Sequence, residues 1–336
     1  LGIPLFEPSW GKEETDAVTK AIQEGQLNEG KYVREFEKLF ADFVKAKYCI
    51  FVPNGALALW LGIKQWTDEN ATAWLKDMPI RVGDYYGIFA ANAVRMLNKQ
   101  VHIVDTANCG CGTTDSVFLT IPIHVNGRLA KATQIEDSCQ AITHHTKHAI
   151  SCYSFHPSKQ ITCGGIGGAV CCDDEEQYVA MSAIKDHGRP ERATGKPISE
   201  HHLLEGTNLK MSDLNAAFGI EQLKRLPERI DKFNKNYKIY KDILGNKVEW
   251  FEDAPTWRVD CKVNNPTQVI AGLANDGIHA KRFYIPLHRQ EQFLDDDKKY
   301  PNCMALYEHG LYLPSSPNLT ENDIQQVCAS LVKSLD

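Results

Sequence analysis

Lys159 stands five residues after Ser154 and five before a glycine tract, Gly164-Gly165-Ile166-Gly167-Gly168. Upstream, an apolar approach ends in Ile135-Glu136-Asp137. A lysine able to form a Schiff base and an acid able to pair with a pyridinium nitrogen are the two protein groups that pyridoxal phosphate chemistry needs most. Asp137 closes an expected strand, and ligands dock at the carboxyl ends of strands in open α/β sheets. A carboxylate there favours the protonated ring nitrogen, which makes the ring an electron sink. Gln140, three residues on, can hydrogen-bond the ring's phenolic oxygen. The Ser154 hydroxyl can join a phosphate cradle. Asn54-Gly55-Ala56 joins a strand to a helix, where free N–H groups bind phosphate and glycine permits close approach. Lys159 would fix the cofactor and, once displaced by an amine, carry a proton between the substrate carbon and C4′. Each residue alone has an ordinary explanation: a solvated lysine, a strand-end aspartate, a surface glutamine. Their order along the chain is what argues for chemistry.

These residues need a scaffold. The spacing of apolar residues predicts helices over 12–25, 31–46, 56–65, 212–225, 228–244 and 321–335. Strands are expected at 48–52, 101–105, 117–123, 133–136, 150–155 and 168–172, each short, apolar and bounded by Gly, Asn, Asp or Pro, as buried parallel strands are. Residues 106–116 read as a loop. Ser212 and Asp213 are expected caps for the helix that follows them. The pattern is α/β: a large domain over 1–235 with a mostly parallel sheet flanked by helices, and a smaller C-terminal α/β domain over 236–336. The boundary falls inside the 228–244 helix.

Composition narrows the function. A net charge of −6 gives no nucleic-acid surface, and 43% hydrophobic with 24% charged residues fits a globular enzyme. No apolar run approaches the ~20 residues of a membrane helix. The start, Leu1-Gly2-Ile3-Pro4, has no basic segment leading into an apolar core, so no secretion signal is expected. Eleven cysteines include Cys109-Gly110-Cys111 and a vicinal Cys171-Cys172 but no paired C-x-x-C units. They read as reduced core thiols in a reducing, cytoplasmic setting. No metal site is expected; His144-His145 and His201-His202 read as solvated or locally bonded.

Taken together, the chain resembles the DegT/DnrJ/EryC1/StrS family, the sugar aminotransferases of fold-type I pyridoxal phosphate enzymes. The resemblance spans nearly the whole sequence. "IPLFEPSWGKEE" and "GQLNEGKYVREFEKLFADF" are similar to the family's opening, "FVPNGALALWLG" to its phosphate loop, "QIEDSCQAI" to the acid and glutamine segment, and "CYSFHPSKQITCGGIGGAV" to the lysine segment. "EGTNLKMSDLNAAFGIEQLKRL" resembles the stretch whose asparagine, here Asn208, reaches the phosphate of the partner subunit. "RFYIPLH" and "GLYLPSSPNLTENDI" resemble the C-terminal domain. The resemblance implies a homodimer with shared active sites, moving an amino group from an amino acid, usually glutamate, to a keto group on a nucleotide-linked sugar. "VPNGALAL" and "LPSSPNLT" are closest to perosamine synthases, which aminate a GDP-linked 4-keto-6-deoxy-mannose; UDP- or dTDP-linked 4-keto-6-deoxyglucose, giving a viosamine-type product, is the alternative.

Several positions depart from the family. Its threonine after the phosphate-loop glycine is Ala56 here, its acid before the paired glycines is Ile166, and its arginine after Asn208 is Lys210. The aromatic that stacks on the ring should fall near Gly87, and Tyr86 is the expected substitute. Segment 106–150 is short for the family. His187, Arg282 and His288 are candidates for the substrate. The rivals are a sugar dehydratase, whose relatives replace the lysine with histidine, and a non-catalytic family member.

Overall fold

The computed structural model describes residues 2–25, 27–70, 78–106, 119–131, 134–197 and 200–335. The Cys109-Gly110-Cys111 segment and most of the expected 106–116 loop lie outside them. Helices α1 (Lys12–Gln23) and α2 (Lys31–Val44) precede strand β1 (Tyr48–Val52), and α3 (Gly55–Glu69) follows it. Then come β2 (Ile80–Gly83), α4 (Ile88–Met96), β3 (Val101–Val104), β4 (Thr120–Ile121), β5 (Ile135–Asp137), β6 (Ile150–Ser154) and β7 (Gly168–Cys172). After them run α5 (Glu175–Lys185), the short α6 (Glu191–Thr194), α7 (Asp213–Lys224) and α8 (Leu226–Leu244). The C-terminal part adds β8 (Asp260–Lys262), α9 (Pro266–Asn275), β9 (Lys281–Arg282), α10 (Pro301–His309), β10 (Gly310–Tyr312) and α11 (Glu321–Leu335).

Two sheets, ordered β1-β7-β6-β5 and β3-β2-β4, meet where Ile123 bridges Asp137 in parallel. The result is one mixed sheet buried on both faces. Its alternation is visible in the cores. Cys49, Phe51, Tyr153, Phe155, Ala169 and Cys171 pack toward α2 and α7. Ile50, Val52, Cys152, Val170 and Cys172 pack toward α3 and α5, as a period of two requires. β2 was not legible: Ile80-Arg81-Val82-Gly83 is only four residues and carries a charge. The sheet is mostly parallel as expected, and β7 is its exception, running antiparallel to β1 and β6. Residues 155–167 contain no helix, and a parallel return needs a crossover element.

The caps show how the elements are fixed. Ser212 accepts the Leu214 N–H at 3.0 Å and caps α7 as expected. Asp213 caps a different helix: its carboxylate accepts the N–H groups of Gly30 (2.6 Å) and Tyr32 (2.9 Å) at the start of α2. Those groups have no partner within their own helix, so a buried carboxylate from α7 ties the two together. A third core gathers Tyr237, Tyr240, Leu244, Cys261, Leu273, Ile324 and Leu331. α8 crosses position 235/236 unbroken, with Leu226 in the core beneath α2 and Tyr240 in this third one. Among the described residues no helix is long and apolar enough to cross a membrane.

Candidate active site

Because β1, β5 and β6 run the same way and β7 opposes them, the carboxyl ends of three strands and the amino end of the fourth share one edge. Val52, Asp137 and Ser154 end their strands there, and Gly168 begins β7 opposite both Val52 and Ser154. Asn54 turns the chain from β1 into α3, its side chain accepting the Leu57 N–H at 2.9 Å. That turn exists because of glycine. A Cβ on Gly168 would lie 2.4 Å from the Asn54 carbonyl carbon, and one on Gly55 would lie 2.7 Å from Cys139 Sγ and 2.8 Å from Ser154 Cβ. Gly55, Ala56 and Ser154 therefore meet around the start of a helix, the usual seat of a phosphate.

Asp137 is buried, and its Oδ1 accepts the Cys139 N–H at 3.0 Å. Gln140 is buried beside it. Its Oε1 accepts the Asn126 N–H at 2.8 Å, which aims Nε2 the other way, and that buried Nε2 has no partner. An orphaned donor of this kind costs about 1–3 kcal/mol unless a ligand takes it. Lys159 is 8% exposed, with Nζ 4.1 Å from the Trp257 ring and no carboxylate in ion-pair reach among the described residues. Burial pushes the Lys159 ammonium below the usual lysine range, against the pull of Cys139 and Asp137, and Arg258 pushes it the same way as burial. A neutral amine is what a nucleophile and proton carrier requires. Glycine cradle, orphaned amide, strand-end carboxylate and depressed lysine together form a donor and acceptor set that fits pyridoxal phosphate.

The remaining candidates are dispersed. Tyr86 is buried at a backbone φ of 65°, edge-on to Tyr284 at 4.5 Å. Burial raises the Tyr86 phenol. Burial would raise Tyr284 too, but the hydrogen bond with Tyr86 and the cations Arg258, Lys281 and Lys159 outweigh it and hold that phenol below its ordinary value. Asn208 and His187 are exposed on neighbouring turns, where Asp186 bridges Asn208. Arg282 donates to the Tyr307 carbonyl at 2.9 Å. His288 is fully buried with both ring nitrogens engaged, by Asp84 (2.6 Å) and Asp297 (2.9 Å), and stacks on Tyr300. None of the hydrogen bonds or ring contacts of Asn208, His187, Arg282 or His288 reaches Lys159. Four pocket residues escaped the sequence reading. Tyr284 sits inside the quoted "RFYIPLH" between the two basic residues chosen there. Trp257 and Arg258 adjoin as an aromatic–cation pair, and Asn126-Gly127 is an ordinary turn signal until its contacts are seen.

Beneath the pocket, Glu136 is fully buried and surrounded by donors. His124 Nε2 (2.9 Å), Thr146 N (2.9 Å), Thr146 Oγ1 (2.5 Å) and Ser151 Oγ all donate to it, and His144 Nε2 stands 3.7 Å away. His124, Glu136 and His144 cluster closely enough to suggest a metal. However, His124 Nδ1 accepts the Ala130 N–H at 3.1 Å, so its proton lies on Nε2, which donates to Glu136 and is no ligand. Burial would raise the Glu136 carboxyl, but the His124, Ser151 and Thr146 hydrogen bonds outweigh it and pull it from 4.5 down to about 2. A group depressed in the folded state adds stability above its unfolded value, lost as pH falls from 4.5 toward about 2. Glu136→Gln should lower unfolding free energy by roughly 3 kcal/mol at neutral pH, and less in acid, as read from urea midpoints at both. The nine described cysteines are all free.

Fold and pocket together define the class: an α/β enzyme of fold type I built around pyridoxal phosphate. The chain belongs to the DegT/DnrJ/EryC1/StrS aminotransferase family, whose profile matches residues 8–74 and 128–332. It is a pyridoxal-phosphate-dependent sugar aminotransferase. It is 28% identical to the spore coat polysaccharide biosynthesis protein SpsC of Bacillus subtilis, over 99% of this chain and 98% of that one. It is 26% identical to the GDP-perosamine synthase of Caulobacter vibrioides, over 98% and 97%. Among solved structures, the putative sugar aminotransferase Spr1654 from Streptococcus pneumoniae in its PMP form has the same fold, with a TM-score of 0.86 at 16% identity, covering 100% of this chain and 98% of that one. The family match skips residues 75–127, the stretch that holds Tyr86 and Asn126.

Proposed function

We propose that the protein carries an amino group from L-glutamate to C4 of a nucleotide-linked 4-keto-6-deoxy sugar, GDP-linked as in perosamine synthesis. The observation that carries this reading is a lysine freed of acid partners at one strand edge with Asp137, the unpartnered Gln140 amide and the Gly55–Ser154 cradle. When bound, pyridoxal phosphate supplies the electron sink that stabilises charge at the amine-bearing carbon. Asp137 would keep a proton on the ring nitrogen. Gln140 Nε2 would donate to the phenolic oxygen, and Gly55, Ala56 and Ser154 would cup the phosphate. Lys159 Nζ would carry a proton from the donor's α-carbon to C4′ of the cofactor in the first half of the cycle, and from C4′ to the sugar carbon in the second. Tyr86 and Tyr284 would wall the pocket.

A homodimer of cytoplasmic location is part of the same proposal. Asn208 is exposed, as a residue reaching into a partner's phosphate site must be, and exposed Leu203 and Leu204 stand on the same segment. The two-domain division at 235/236 belongs to it too. A coupled assay against GDP-, UDP- and dTDP-linked 4-keto-6-deoxy sugars, with glutamate and glutamine in turn, tests the substrate. We expect turnover of the GDP-sugar with glutamate at least about tenfold above the others. A preference for the UDP- or dTDP-sugar would replace this reading with the viosamine-type one. Deoxygenation of the sugar without any donor would replace it with the dehydratase.

A further inference from the structure

Arg258 is 5% exposed and precedes β8. Among the described residues its guanidinium meets no hydrogen-bond acceptor and no carboxylate, and its occluded Nε has no partner. Apart from Lys159, the other deeply buried cations among the described residues are matched. Arg128 makes two 2.7 Å bonds to Asp260, and Lys185 lies 3.0 Å from Glu29 and 3.2 Å from Glu37. An unmatched buried charge costs several kcal/mol, so the contrast needs a cause, and an anion that arrives from outside is one.

The surroundings say which anion. One indole, Trp257, carries the Arg258 guanidinium at 4.3 Å and Lys159 Nζ at 4.1 Å. Tyr284 and His156 also lie within the guanidinium's electrostatic reach. Arg258 is held by a single residue at both backbone groups: Asn126 Oδ1 accepts its N–H at 2.8 Å and Asn126 Nδ2 donates to its carbonyl at 2.7 Å. The Asn126 N–H also donates to Gln140 Oε1. One asparagine thus places both unsatisfied donors of the pocket. The amine of an incoming donor must take the position of Lys159 Nζ. In an α-amino acid the carboxylate is attached to the very carbon that bears that amine. The phosphates of a sugar nucleotide are a whole sugar ring away from the reacting carbon. A planar fork beside Nζ therefore suits a carboxylate, which it can bind through two parallel hydrogen bonds.

We propose that Arg258 receives the α-carboxylate of the amino donor and so selects an amino acid over a simple amine. The inference rests on the aminotransferase reading with glutamate as donor. Holoenzyme carrying Arg258→Met or Arg258→Lys tests it in two ways. In single turnover with L-glutamate, the concentration giving half-maximal loss of the cofactor's resting absorbance should rise about 10- to 100-fold in Arg258→Met, with part of the loss restored by lysine. In calorimetry, glutarate, which has carboxylates and no amine, should bind Arg258→Met more weakly by a similar factor, while GDP and UDP bind unchanged. Unchanged responses to glutamate and glutarate would overturn the assignment. Intact glutarate binding with weakened GDP or UDP binding would give Arg258 to the nucleotide phosphates instead. If wild-type enzyme shows no absorbance change with glutamate, the donor reading itself fails, a result separate from either outcome. Should Arg258→Met not fold, Arg258→Lys alone decides: an unshifted glutamate response overturns the proposal.

Discussion

Lys159→Ala is expected to lower turnover by about four orders of magnitude, the upper range for loss of a positioned proton carrier, while leaving the fold intact. The two halves of that expectation come from the same fact. Lys159 is buried without an acid partner, so its removal breaks no ion pair, and losing an uncompensated buried charge relieves rather than incurs a penalty. The thermal midpoint should therefore stay level or rise. Catalysis behaves differently, because no second amine stands at that place among the described residues. Tyr284 is a phenol, and Cys139 has its thiol pushed well above its ordinary value by burial and by Asp137. Lys159→Arg should fare no better: it restores charge but supplies no amine that can be neutral near pH 7. Borohydride reduction of the wild-type holoenzyme should fix the cofactor to the peptide containing Lys159, and mass spectrometry of both variants should find none there. Methylamine, small enough to enter the space left by alanine, should restore part of the rate in Lys159→Ala and not in Lys159→Arg. Retention of more than about 1% of the rate in the alanine variant would remove Lys159 from the proton path.

The parts of this site that were legible in the sequence share a physical origin. Asp137, Ser154 and the Asn54-Gly55 turn lie at strand ends, and strand ends are marked by local chemistry: an apolar run, then a polar residue or a glycine. β5, β6 and β1 could therefore be read, and with them the sheet edge where their polar residues meet. The Gly55 and Gly168 contacts explain why the glycines had to be glycines. What could not be read is held by contacts between residues far apart in the chain. Asn126 joins Gln140, 14 positions on, to Arg258, 132 positions on, and nothing in Val125-Asn126-Gly127 signals more than a turn. Asp213 looked like the cap of its own helix because capping is read locally, and it caps α2 instead, 181 positions away from Tyr32. His288 is the opposite case. A histidine beside a basic residue in a family motif suggests a substrate contact, yet Asp84 and Asp297 occupy both its nitrogens, a fact no local pattern announces.

Asp137→Asn separates holding the cofactor from using it. The substitution keeps the shape, and its amide oxygen can still accept the Cys139 N–H that Oδ1 accepts at 3.0 Å. The phosphate cradle of Gly55, Ala56 and Ser154 and the Gln140 amide are untouched, so uptake of pyridoxal phosphate should change by no more than about tenfold, as followed by fluorescence titration. What disappears is the negative charge that favours a proton on the ring nitrogen. A nearby opposite charge shifts a protonation equilibrium by about 1–3 units, and each unit is worth about 1.4 kcal/mol. The electron sink weakens in proportion, and the proton-transfer step should slow by roughly 10²- to 10³-fold in each half of the cycle. Both halves must suffer alike, since both generate charge at the carbon next to the same ring; a defect confined to the glutamate half would point to donor binding and not to the ring. A cofactor analogue methylated on the ring nitrogen carries the positive charge permanently and no longer needs the carboxylate to hold a proton. Reconstituted with that analogue, Asp137→Asn should recover a large part of the lost rate, whereas Lys159→Ala should recover none. A variant that runs at the wild-type rate with the ordinary cofactor would mean that the reaction proceeds on a neutral ring and that Asp137 serves only to orient Cys139 and its turn.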